Sequence, residues 1–342
     1  MIRSGPLGVI VSFGEVLLRI AARPPLLLLQ EAQLEATICG AEANVAVAFS
    51  GFGHASRMIS FVPDNRLGDA ARNELRRFGV GTDAVKIGKG RMGLYFLTPG
   101  AMTRPAEIIY DRAGSAFANL DAEAIDWQQE LAGADWLFIG GITAALGDGP
   151  LAALRSAIAC AKQNAVNIAF DCNYRPSLWQ GREQQAARIL LELSSQATLL
   201  FGGRRAIGMM LDQQFNASDP NRGFQDAANA MFAASPGLAY VAATRRDIIS
   251  AENQRLTALI ADNNSLAVSP TIALDGIVDR IGTGDAFAAG VVHGLVSGHD
   301  LDQTIGFAAA AAQWSHGISG DFLRASVSDI IAMQNGGGDV RR

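Results

Sequence analysis

Residues 278–290 read VDRIGTGDAFAAG: two glycines around a threonine, an aspartate, then an alanine-rich run of helical character. The first backbone N–H groups of a helix have no partner within it, and the helix dipole makes that end positive. Gly282 and Gly284 let the chain pass close to a ligand without a Cβ in the way, so the amides of residues 282–285 can cradle developing negative charge. Asp285, in the first turn, then lies where it can take the proton of a substrate hydroxyl while the amides hold a transferring phosphoryl group. The same residues also fit a plain N-cap in which Thr283 or Asp285 satisfies amides.

Outward from this turn, β-type and α-type segments alternate. Gly8 to Leu18 reads as a β-rich run ending in Gly14 and Glu15 that holds the first core strand, and the run AEANVAVAFSGFG from Ala41 as a helix stopped by Gly51 and Gly53. Residues 57–62 read as a strand, and residues 69–78 as an amphipathic helix ended by Gly79. WLFIGG, VNIAFDCNYR, ATLLFGG and LAYVAAT are strands separated by helical stretches, which implies a mainly parallel sheet covered on both faces. Three strand ends, at 140–141, 171–175 and 202–205, are polar or glycine-rich and are expected to face one crevice. Between 92 and 117 the pattern changes to a hairpin, YFLT and EIIYDR, expected to form a separate small β element with Leu94, Phe96, Ile108 and Tyr110 on one apolar face. The only low-complexity patch is NGGGD at 335–339.

The 342-residue chain carries a net charge of −5, so it has no basic footprint for nucleic acid or an anionic membrane surface. Its apolar runs fall short of the roughly 18 to 20 residues that span a bilayer. The N-terminus lacks a small-x-small cleavage pattern, and Cys39, Cys160 and Cys172 lack CxxC spacing, which together point to a reducing cytoplasm and no structural metal. His54, His293, His299 and His316 have no metal-ligand spacing and read as helix-surface or turn residues; Trp136, Trp179 and Trp314 read as core or core-edge residues. Neither G-x-x-x-x-G-K-[ST] nor a G-x-G-x-x-G after the first strand is present, which argues against a P-loop enzyme and an NAD-dependent dehydrogenase.

VDRIGTGDAFAAG resembles the C-terminal signature of the ribokinase-like (PfkB) sugar kinases, and GAEANVAVAFSGFG at 40–53 resembles their N-terminal one. PDNRLGDAARNELRRFGV, YDRAGSAF, DCNYRPSLW, FGGRR and GDFLRASVSDI resemble 2-keto-3-deoxygluconate kinases in the same order, over nearly the whole chain. The resemblance implies a ribokinase-like three-layer α/β/α fold, with an α/β domain at 1–17, 39–91 and 118–342 and a β lid at 18–38 and 92–117. It implies an ATP-dependent kinase acting on a primary hydroxyl of a six-carbon keto-deoxy sugar acid. Asp285 would be the base, and Gly282, Thr283 and Gly284 the anion hole. Gly40, Ala41, Asn44, Tyr95, Tyr110 and Arg112 would line the sugar site. Asn173 and Arg175 would sit between the sugar acid and the ATP phosphates, and Thr244 near the nucleotide.

A substrate carboxylate in a net-acidic protein needs a planar, always-charged donor, which singles out Arg112 and Arg175; a solvated surface ion pair is the alternative for each. Arg104 divides between sugar and subunit contact, and Asp171 between orienting Arg175, a hydrated Mg²⁺ and a strand-end cap. Two positions depart from the family pattern. Where many relatives carry N-x-x-E, this chain has Gly203 and Ala206, so Mg²⁺ would rely on ATP oxygens and water; and Thr283 replaces the usual alanine or glycine, tolerable if its side chain points away from the cradle. Monovalent-cation activation stays open. A kinase for a neutral sugar such as fructose or ribose, and a catalytically silent sugar-binding regulator, are the competing readings. The small apolar lid implies a homodimer or higher homo-oligomer through it.

Overall fold

The structure, a computed structural model, describes residues 7–336. Its strands in chain order are β1 (Val9–Phe13), β2 (Leu17–Ala21), β3 (Glu35–Cys39), β4 (Ala55–Pro63), β5 (Val85–Gly88), β6 (Gly93–Thr98), β7 (Glu107–Asp111), β8 (Trp136–Gly140), β9 (Asn167–Asp171), β10 (Leu199–Phe201), β11 (Tyr240–Ile248), β12 (Asn253–Ala261), β13 (Leu266–Val268) and β14 (Ile272–Asp275). The large sheet has the order β13-β12-β11-β10-β9-β8-β1-β4-β5, with β14 on β12. It is parallel from β5 to β11 and antiparallel beyond.

Apolar residues alternate between the two faces of its central strands and are buried on both. Val11, Phe13, Leu137, Ile139 and Phe170 enter one core cluster, with the helices Asp148–Gln163 and Glu183–Ser194. Ile10, Trp136, Phe138 and Ala169 enter the other, with the helices Ala41–Gly51, Thr283–Val296 and Leu301–His316. This double burial is why the strands read as near-continuous apolar runs, and it gives the three-layer α/β/α architecture.

The second sheet has the order β3-β2-β6-β7. The β-rich run over 8–18 holds the first core strand, which ends before Gly14, and the start of a second strand in the other sheet; at Gly14 a Cβ would stand 2.1 Å from Glu42 Oε2. The small sheet's register also corrects its expected apolar face. Tyr95 pairs with Tyr110 and Leu97 with Ile108, so these four share one face. Leu94 and Phe96 point the other way, with Ile109 opposite Phe96 and with Leu18 and Ile20 of β2 beside them. The helix expected at 69–78 spans Arg66–Arg77, because the Asn65 side chain caps it by accepting from the Leu67 and Gly68 amides. Of NGGGD, residues 337–339 lie outside the described residues.

Three histidines are buried, against the expectation of surface or turn positions: His54, His293 and His316. His54 Nε2 lies 2.9 Å from His293 Nδ1, in a pocket shared with the rings of Phe52 and Phe307. Burial lowers all three to about 4, so they are neutral core groups at neutral pH. His299 is half-buried, its ring 6.2 Å from that of His293. Trp136 and Trp179 are buried and Trp314 packs at a core edge. The three cysteines are free and buried. Among the described residues no helix is long and apolar enough to cross a membrane.

Candidate active site

Two cavities of about 620 and 610 Å³ meet beyond the carboxyl ends of the central strands, sharing Asp171, Asn173 and Gly284. The first is lined by the turns after β9 and β10, by Thr244 and by Phe287. The second lies beneath the inner face of the small sheet and is lined by Gly40, Ala41, Asn44, Tyr95, Tyr110, Arg112, Arg175 and residues 280–285. The 140–141 turn faces neither; Gly140 and Gly14 instead leave room for the Glu42 carboxyl, which a Cβ at either would strike.

The turn at 282–285 is held by its surroundings. Gly282 has φ +78°, and a Cβ there would be 2.1 Å from the Asp321 carbonyl oxygen, so only glycine fits. Gly284, by contrast, has nothing within 4 Å of a Cβ position and opens to both cavities. Thr283 Oγ1 donates to the Arg280 carbonyl at 3.0 Å and accepts from Arg246 Nη2 at 2.6 Å, so the side chain is engaged outside the amide cradle.

Asp285, in the first turn of Thr283–Val296, accepts a 2.6 Å hydrogen bond from Asn44 Nδ2. Burial pushes its carboxyl up to about 7; the bond from Asn44 opposes that rise, while Asp171 and Asp321 add to it. A carboxylate poised near neutrality can both take and release a proton at physiological pH. Asp171 is raised by burial to about 6, with Arg175 and the Asn173 amide, 3.0 Å from its Oδ1, opposing. Asn173 itself has φ +38°, which turns the chain between the cavities.

The candidate sugar contacts differ in how free they are. Arg175 is exposed at the cavity rim, and its charge acts on both Asp171 and Asp285. Arg112 lines the cavity but is buried, and its Nε donates to Glu15 Oε2 at 2.6 Å, which removes one edge from a two-pronged grip on a ligand. Its Nη1 is buried without a partner. Tyr95 spends its hydroxyl on Asp321 Oδ2 at 2.8 Å, and the Tyr110 ring lies 6.3 Å from that of Tyr95. Arg104 donates to the carbonyls of Pro25 and Pro99 and pins a loop of the small sheet, away from either cavity.

The whole arrangement can be placed among known proteins. Residues 9–321 match the model of the pfkB family carbohydrate kinase. The chain belongs to that family. This kinase is 33% identical to the solved 2-dehydro-3-deoxygluconokinase of Thermotoga maritima, with a TM-score of 0.92 over 96% of this chain and 100% of the other. The PfkB family carbohydrate kinase from Listeria grayi is 32% identical with a TM-score of 0.90, covering 96% of this chain and 99% of that one. The 2-dehydro-3-deoxygalactonokinase of Haloferax volcanii is 28% identical over 330 residues, 96% of this chain and 97% of its own.

Sequence reasoning missed several residues that shape the kinase site. Arg246, Arg280 and Asp321 line the second cavity, the candidate sugar side. Glu42 and Glu15 are buried carboxyls behind it. Their signal was present as acids inside apolar runs, GEVLLRI and AEANVAVA, and as arginines at strand and loop ends, TRRD and VDRIG.

Proposed function

We propose that this kinase transfers the γ-phosphoryl group of ATP to a primary hydroxyl of 2-keto-3-deoxygluconate or a close keto-deoxy sugar acid. The observation that carries the reading is Asp285, held at 2.6 Å by Asn44 beside the 282–284 amides where the two cavities join. The sugar oxygen forms a bond to the γ-phosphorus as the bond from that phosphorus to the β–γ bridging oxygen breaks; Asp285 takes the hydroxyl proton and ADP leaves. The amides of residues 282–284 face the charge on the transferring group, so most of the acceleration is positioning and electrostatics.

The cavity lined by Gly202, Gly203, Thr244 and Phe287 suits a nucleotide, with Asn173 and Gly284 toward its phosphate end. Mg²⁺ bound to the nucleotide supplies charge neutralisation at the phosphates. With Gly203 and Ala206 where many relatives carry N-x-x-E, ATP oxygens and water are expected to be its ligands. Arg175, free at the rim, is assigned to the sugar carboxylate, and the names of the Thermotoga and Haloferax relatives support a keto-deoxy acid. One observation favours a neutral sugar instead: Arg112, the other candidate for the carboxylate, is already paired with Glu15. The reading also includes two copies joined through the outer lid face of Leu18, Ile20, Leu94, Phe96 and Ile109, all at least partly exposed.

Asp285→Asn removes the base and keeps the shape. ADP formation with the keto-deoxy acid should fall more than about 1,000-fold with ATP affinity retained, and retention of more than about a tenth of kcat would contradict the assignment.

A further inference from the structure

Two guanidinium groups stand beside the phosphoryl-transfer turn with no acid to pair them among the described residues. Arg246, on β11, donates from Nη2 to Thr283 Oγ1 at 2.6 Å, and its Nε is buried without a partner. Arg280 lies two residues before Gly282, with the Gln254 amide oxygen 3.1 Å from its Nε when that amide faces it. The contrast with Arg19 is direct: Arg19 is buried too, but it pairs with Asp279 at 2.7 Å and Asp321 at 2.8 Å. Unpaired charge at partly buried positions is costly and is retained where an anion completes it.

Arg246 also lies where the sugar-side cavity meets a third cavity of about 440 Å³, lined by Arg204, Arg205, Thr244 and Arg245. It therefore stands between the space for the acceptor and a cavity whose lining carries Arg204, Arg205 and Arg245 against one acid, Asp247. Arg246 lines the same cavity as Thr283 and Gly284, and Thr283 Oγ1 fixes its guanidinium beside the turn, so an anion that enters along the turn meets it. At the moment of transfer the anion at that point is the phosphoryl group, since its acceptor hydroxyl must lie against Asp285.

We infer that Arg246 and Arg280 form a two-arginine clamp for the transferring phosphoryl group, with Thr283 as the strut that aims Arg246. The inference rests on the phosphotransfer reading above and adds to the amides a charged grip on the γ-phosphate. Planar guanidinium groups suit it, because each offers two parallel N–H donors to phosphate oxygens. It also gives a role to the threonine at 283: an alanine there could not hold the arginine.

The test separates this clamp from the base and from the sugar. Calorimetry on the full chain compares ADP with a non-hydrolysable ATP analogue, with no sugar present. In Arg246→Ala, ADP affinity should stay within about 2-fold while analogue affinity falls roughly 10-fold or more, the size expected for losing a charged contact. In turnover, kcat should fall roughly 100-fold with KM for the sugar acid within about 3-fold. Arg280→Gln should shift the same ADP-to-analogue ratio in the same direction, and it carries the test if Arg246→Ala does not fold. Equal losses for ADP and analogue, or no loss for either, would overturn the clamp. So would a rise in KM for the acid with kcat kept, which would assign the arginines to the sugar carboxylate. A wrong substrate assignment alone leaves the calorimetric result intact.

Discussion

The two ends of the sugar-side cavity use charge in opposite ways. Toward the lid the charges have protein partners: Arg112 pairs with Glu15 and, behind the cavity wall, Arg19 with Asp279 and Asp321, while the Tyr95 hydroxyl donates to Asp321. Arg175 at the rim, and Arg246 and Arg280 at the transfer end, make no ion pair among the described residues, and the carboxyls of Asp171 and Asp285 are raised by burial. Paired charges in a dry setting fix shape, and breaking one leaves its partner stranded. Unpaired charges facing a cavity hold their place for a ligand. The contrast therefore divides residues that build the site from residues that work in it.

Mutation should sort the residues the same way. Glu15→Gln strands the Arg112 guanidinium in a position where both side chains are at most 4% exposed. It should cost about 3–5 kcal/mol of folding stability, read as a lowered denaturant midpoint. Arg175→Gln should leave the midpoint within about 0.5 kcal/mol, as expected at an exposed position, but lower kcat/KM for a sugar acid roughly 10- to 100-fold. Equal stability losses from the two would erase the distinction between the ends.

Asn44→Ala should act on pH. The proposed base must be ionised, so kcat/KM should rise with pH through the Asp285 value near 7. Asn44 stabilises the ionised form, and its removal should move that rising limb to higher pH. A limb that stays in place would separate Asn44 from Asp285.

An effect on stability alone is expected at Glu42, whose carboxyl burial raises to about 8 despite the nearby Arg112 charge. A folded-state value above the unfolded one, 4.5, means the folded protein keeps a proton that the unfolded chain has lost. Stability from this group is therefore full below pH 4.5 and is lost as pH rises toward 8. Glu42→Gln cannot ionise, so its thermal midpoint should gain on the wild type across that window and match its trend below it. A parallel pair of curves would show that Glu42 is ionised in the fold.

What could be read in the chain and what could not follow from distance along it. Strands β1, β4 and β6 to β11, the helix from Ala41 and the glycine turn were legible because each rests on local periodicity or on a backbone that only glycine tolerates. Gly40, Asn44, Asn173, Arg175, Thr244 and Asp285, separated widely in sequence, do line the two joined cavities. The pairing of Arg112 with Glu15 spans 97 residues and that of Arg19 with Asp321 spans 302, and no spacing rule reports either. The lid's faces were misread because register across strands, not composition, decides which residues share a side. The histidines were misread because a neutral imidazole packs well among phenylalanines, which pattern alone does not show.

The most direct measurement is the ratio of kcat/KM in a coupled ADP-release assay with ATP and Mg²⁺, comparing 2-keto-3-deoxygluconate with fructose and ribose. An unpaired arginine at the rim predicts a preference for the acid of at least roughly 100-fold, the worth of a charge-assisted bidentate contact. Equal or better turnover of a neutral ketose would contradict the account, since Arg175 would then have no ligand to hold.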